Sequence, residues 1–154
     1  MMPRATTMNF SEADIPFEDG LALYRWWHTL FRKNGKFPRK SEINPSDHVS
    51  YLDKIYLITL DLESGDHIMR LHGTFITEIH QRDNSGKPVR LMAGADVFNQ
   101  RIACIIEHKK PVLVTYDKLE AHHDAYDTYH TIGLPIADDH SGELAHIIGV
   151  VHYK

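Results

Sequence analysis

Cysteine is nearly absent from this chain. Cys104 stands alone, so an internal disulfide framework is excluded. That usage fits a reducing compartment. Long apolar runs are missing as well, and none approaches the roughly 20 residues that a membrane-spanning helix needs. Met1–Met8 holds no apolar core of signal-peptide length, so a cytoplasmic protein with no membrane role is expected. Positive charge is in deficit. The net charge of -4 leaves no basic surface for general nucleic-acid binding. Internal repeats, low-complexity tracts, a phosphate-cradling glycine motif and a nucleophile elbow are all lacking.

What remains is an ordinary globular composition, 42% hydrophobic and 25% charged over 154 residues. A chain of this length buries roughly 68–70% of its unfolded surface, so one domain needs no staples. Residues 1–17 show no periodicity and read as a flexible lead-in to a single domain over 18–154, although Phe10, Ile15 and Phe17 are able to dock. Histidine is plentiful, with 12 residues. Scattered over surface and strands they do nothing in common; buried, they make the domain respond to pH near neutrality.

The spacing predicts a helix from Glu18 to Lys33, with Leu21, Tyr24, Trp27 or His28, and Phe31 on one stripe. Acidic residues open it, basic residues close it, and Asn34-Gly35 stops it. Leu23, Trp26, Trp27 and Leu30 widen the apolar face. These four are the candidate interface residues, because aromatic side chains anchor interfaces. Their other reading is a cover for one face or edge of a sheet. Ser41 with Asn44-Pro45 can cap a short helix over Pro45–Leu52, with Ser46, Asp47 and His48 facing water.

Ile55–Leu62 and His67–Thr74 read as a hairpin. Alternation puts Met69 and Leu71 toward the core and Arg70 and His72 on the opposite face. A short helix over Phe75–His80 and a long one over Ala95–Lys109 form a helical insert, ended by Pro111. Three strands follow: Val112–Leu119, Tyr129–Ala137 and Leu144–Tyr153. The last is apolar on both faces and so belongs in the centre of a sheet. The fold class is α+β: one five-stranded antiparallel sheet, a helical insert after strand 2 and an extra N-terminal helix.

Three motifs in this order resemble the PAS (Per-Arnt-Sim) domain family, in a bacterial subgroup with an extra N-terminal helix. They are Leu23-Tyr24-Arg25-Trp26-Trp27, Arg70-Leu71-His72-Gly73-Thr74 and Gly133-Leu134-Pro135-Ile136. After the short helix the family shows a Gly-Arg-Asp-Leu-Thr-Gly type sequence. Here Arg82, Asp83 and Gly86 fit, but Gln81 replaces the leading glycine and Asn84 the leucine. The resemblance implies a sensory or protein-interaction module, often a homodimer. It implies no reaction and no fixed cofactor.

On that reading a small-molecule ligand sits between the insert and the inner sheet face. The candidate lining is Met69, Leu71, Phe75, Ile79 and Phe98, then Ile102, Val114, Tyr116 and Leu134. A fully packed core is the alternative. Cys104 lies mid-helix among isoleucines, which suits an inert thiol and not a flavin-reactive one. His108 is the one loosely placed haem-ligand candidate. His122, His123, Asp124 and Asp127 cluster in a loop, where adjacent histidines point apart; no metal is assigned. His130, His146 and His152 sit on neighbouring strands, where they form either ordinary cross-strand pairs or a pH-sensitive ladder. An enzyme reading stays open beside these: Tyr116 or Tyr129 with His130 in an apolar pocket, as in small α+β cones.

Overall fold

The computed structural model describes residues 4–116 and 128–154. Seven strands form one sheet: β1 (Arg4–Thr7), β2 (Ile55–Thr59), β3 (Ile68–His72), β4 (Lys87–Pro88), β5 (Val112–Tyr116), β6 (Tyr129–Ala137) and β7 (Leu144–Tyr153). Their spatial order is β1-β5-β6-β7-β2-β3-β4, and every neighbouring pair is antiparallel. The fold is the α+β class expected, with seven strands instead of five. The two additions are edge strands. The expectation of a loose lead-in fails for residues 4–17: β1 pairs with β5, and Ile15 and Phe17 are buried.

Among the described residues, three α-helices flank the sheet: α1 (Glu18–Asn34), α2 (Thr74–His80) and α3 (Ala95–His108). Gly35 ends α1 in the left-handed region, at φ 67, which glycine adopts without a Cβ penalty. The segment Pro45–Lys54 is a kinked 3-10 stretch, and Asn44 accepts from the Ser46 N–H as its cap. His48 does not face water there. It is 1% exposed, and its Nδ1 lies 2.7 Å from the Tyr51 hydroxyl.

Helices on both faces give the sheet two cores. The outer face packs Leu23 and Trp27 of α1 on Ile132, Leu134, Ile148 and Val150. The inner face packs Ile76 of α2 and Ile102 and Ile105 of α3 on Tyr56, Met69 and Val114. β7 lies mid-sheet and is buried on both sides, as its composition requires.

One irregularity re-aims side chains. Leu57 pairs with Leu71, but Ile58 pairs with Met69, so Arg70 is the extra residue of a bulge. The bulge resets the alternation. Met69 faces inward as expected. Leu71 falls on the outer face, 41% exposed, while His72 turns in and is buried. Both assignments reverse the simple period-two reading.

Two of the sequence motifs meet here. β6 runs on past the last residue paired to β5, at Gly133. Pro135, which has no N–H, sits in that unpaired stretch, where a central-strand proline is tolerated. Trp27 Nε1 donates to its carbonyl at 2.7 Å, and the Ala137 N–H donates to the Pro38 carbonyl at 2.8 Å. The third motif is a corner. A Cβ on Gly73 would collide with the Asp53 carbonyl, so only glycine lets the chain pass there.

Candidate functional site

The site is built on the inner face from a missing layer of side chains. Gly133 of β6 and Gly149 of β7 are cross-strand partners, and Tyr56 of β2 pairs with Gly149. With no Cβ on either glycine, the Tyr56 ring lies flat over the pair; a Cβ at Gly149 would collide with it. Phe98 of α3 meets Tyr56 edge-on, with ring centroids 5.4 Å apart. Burial, then the neighbouring Tyr129, push the Tyr56 hydroxyl up to about 12, so it stays a neutral donor. Thr131 lies beside it and donates its own hydroxyl to the Val150 carbonyl at 2.9 Å.

Arg101 closes this site toward solvent. Its Nη1 donates to the Tyr129 hydroxyl at 3.3 Å, and the guanidinium lies over the Tyr129 and Phe98 rings at 5.6 and 6.0 Å. Two cavities share Arg101 as a wall. The inner one, about 10 Å³, lies among Tyr56, Phe98, Ile102 and Val114 and has room for one water. The outer one, about 160 Å³, opens between β1 and α3 and is lined by Thr6, Val97, Gln100, Arg101 and Cys104.

Of the nine expected lining residues, Phe98, Ile102 and Val114 face the inner cavity. Met69 is buried in the same core, and Phe75 packs half-buried against it. Ile79 is half-buried on α2 but lines neither cavity. Two expectations are corrected. Leu71 is on the outer face because of the bulge, and Leu134 is buried in the outer core. β6 alternates, so the face that carries Gly133 cannot carry Leu134. Tyr116 lies in β5, with its side chain outside the described residues.

Tyr56, Arg101 and Thr131 were missed. Each had a signal: Tyr56 and Ile58 alternate along β2, Thr131 and Gly133 alternate along β6, and Arg101 follows Phe98 by three on α3, so it shares that helix face.

The interface candidates divide. Leu23 and Trp27 are buried beneath α1, which removes them from any docking surface. Trp26 and Leu30 are half-buried. Trp26 meets the His48 ring at a right angle, centroids 5.1 Å apart.

Histidine positions carry further corrections. His108 is exposed at the end of α3, 3.7 Å from the Glu107 carboxylate, and does not reach the cavity. The three strand histidines form no ladder: His130 and His152 are cross-strand partners that stack at 5.9 Å with Phe17 against both, while His146 lies up the strand beside Thr59. The proposed Tyr129–His130 enzyme pair is split by the sheet, since Tyr129 faces Arg101 and His130 faces Phe17. His122, His123, Asp124 and Asp127 lie outside the described residues. The missing family glycine has a visible consequence: Gln81 itself takes the left-handed conformation, at φ 55.

A family model described as PAS domain matches residues 18–152. The chain belongs to the PAS domain family. No protein of curated function matches it in sequence. Among solved structures it is similar to an RNA-binding light-oxygen-voltage receptor, at 11% identity and a TM-score of 0.52. That alignment covers 99% of this chain but 39% of the receptor. The PAS domain of the histidine kinase ThkA aligns over 63% of this chain and 96% of its own length, at 12% identity and a TM-score of 0.49. Such distant likeness speaks for the PAS fold alone. Family and fold support a sensory or interaction domain. No helix among the described residues is long and apolar enough to cross a membrane.

Proposed function

We propose that this PAS domain is a sensory module whose input is a small molecule held at Arg101, beneath and beside α3. One observation carries the reading: two cavities share the Arg101 wall, one of about 160 Å³ that opens at the surface between β1 and α3 and one of about 10 Å³ enclosed among apolar side chains. A pocket of roughly 150 Å³ suits a molecule of benzene's size and is far below what a flavin or haem occupies. Arg101, Gln100 and Thr6 line the outer cavity and carry hydrogen-bond donors beside Val97 and Cys104, so the ligand class is a compact, mostly apolar molecule with one acceptor group. A bound ligand acts by moving α3 or β6. Output passes to a partner protein or a second copy by contact, in keeping with the sensory and interaction role of the family.

Thermal unfolding of the full chain with small phenols, ketones and monocarboxylates tests this. A true ligand at a hundred times its Kd stabilises by about 2.7 kcal/mol, which raises Tm by several degrees. Cys104→Trp fills the outer cavity from a half-buried position and is expected to abolish the shift while leaving the unliganded Tm nearly unchanged. Indifference of the wild type across the set favours a second reading, a packed interaction module with no ligand, for which the one-water inner cavity speaks. An equal shift in the Cys104→Trp variant places the ligand elsewhere.

A further inference from the structure

The outer core covers the sheet over β6, β7 and the start of β2, where Ile55 is buried and Leu57 packs against it. Beyond that cover, a groove of about 730 Å³ runs between the β2–β3 loop and the β6–β7 loop. Its apolar part includes Ile68, half-buried, Leu60, which also packs against the inner core, and Leu62, which is 55% exposed on the loop. Leu71, thrown outward by the bulge, continues the apolar strip on the same face. The rim is acidic. Asp61, Glu63 and Asp66 stand on one side, Asp138 and Glu143 on the other.

Two arginines offset little of this. Arg70 lines the groove, with its Nε donating to Thr59 Oγ1, and Arg90 is bonded to Asp66 at 3.1 Å. Asp61 and Asp138 are each fixed by turns, accepting from the Glu63 and Ser64 N–H groups and from the His140 and Ser141 N–H groups respectively. The acidic walls are therefore held in place. They do not fold away over the leucines.

We infer that this groove is a docking surface for a basic, leucine-bearing segment of a partner protein. Charge complementarity selects that occupant. A second copy of this chain docked by two-fold symmetry brings the same patch against itself, which sets acid against acid around the leucines. A partner with lysines or arginines flanking an aliphatic anchor places opposite charge on both rims and buries Leu62. No residue that lines this groove lines either Arg101 cavity, so this inference stands whether or not the inner site takes a ligand.

The test uses the full chain and a labelled peptide of alternating lysine and leucine, followed by fluorescence anisotropy. Peptides alternating glutamate with leucine, and lysine with serine, are the controls. Lysine–leucine binding is expected to exceed both controls by roughly tenfold and to weaken as salt rises. The double variant Glu63→Lys with Glu143→Lys, and separately Leu62→Ser, are each expected to lose about tenfold. These residues are exposed or on a loop, and an unchanged Tm verifies that folding is intact. Equal binding of the lysine–serine peptide, or variants that bind as wild type does, overturns the docking surface. So does light scattering that shows a wild-type dimer turned into a monomer by Leu62→Ser, since the occupant is then a second copy.

Discussion

Trp27 on the outer face and Tyr56 on the inner face fill space beside the same two strands by opposite means. Trp27 comes from a helix, is 3% exposed, and stacks on Phe31 with ring centroids 5.0 Å apart. Its single polar atom is spent on the Pro135 carbonyl. Around it pack Leu23, Ile132, Leu134 and Phe31. Tyr56 comes from the sheet itself and lies on a floor that two glycines have emptied. Around it sit Thr131, Arg101 and two cavities. The outer face joins the extra helix to the sheet. The inner face keeps polar groups and free volume where a packed core has neither. Dry, complete packing suits an anchor, whereas space and donors suit a sensor.

The largest test of that contrast is Trp27→Ala. Removing a buried tryptophan costs about 3–5 kcal/mol. The loss is expected near the top of that range, because the Pro135 carbonyl also loses its donor. Trp27→Phe separates the two contributions, since it keeps most of the volume and gives up one hydrogen bond worth about 1 kcal/mol. Urea unfolding measures both. A Trp27→Ala cost below that of the glycine variant next described breaks the comparison.

Gly149→Ala probes the inner face. The added methyl runs into the Tyr56 ring, and overpacking of this kind costs about 1–3 kcal/mol. Combining it with Tyr56→Leu is expected to recover part of the loss, because the flat ring that needed the glycine is gone. A double-mutant cycle with coupling below about 0.5 kcal/mol means that ring and glycine do not define the site.

These positions also show what could be read from residue order. β6 and β7 were legible to the residue, since period-two alternation runs through both and Asp138–Gly142 separates them. α1 and α3 were legible from their stripes and their charged ends. The edge strands were not. β1 and β4 are four and two residues long, too short for any periodicity, and exist through pairing with distant segments. The bulge at Arg70 left no local mark in Ile68–His72, so the faces of Leu71 and His72 came out exchanged. Leu134 was assigned inward because it is apolar. The inner face of β6 is instead marked by what is absent at Gly133, and a gap is harder to read than a leucine.

The smallest expected contrast is in acid sensitivity. His72, turned inward by the bulge, has Asn84 and Thr77 about its Nδ1 and His80 edge-on at 5.3 Å. Burial, then the neighbouring His80, hold it down to about 4. In the unfolded chain it titrates near 6.5. A lowered folded value means that the unfolded state takes up the proton first, so stability falls as pH drops from about 6.5 toward 4. Asp61, Asp83 and Asp138 are shifted below their usual range by backbone hydrogen bonds and lose their contributions only at lower pH, so they do not confuse this window. On the outer face, burial also lowers His48, His146 and His152, in the same direction. His72→Gln is therefore expected to remove the largest single share of the Tm decrease between pH 7 and pH 5, and His48→Gln a smaller one. If His48→Gln flattens the profile and His72→Gln does not, acid response belongs to the anchoring face, and the division of labour between the two cores is wrong on this point.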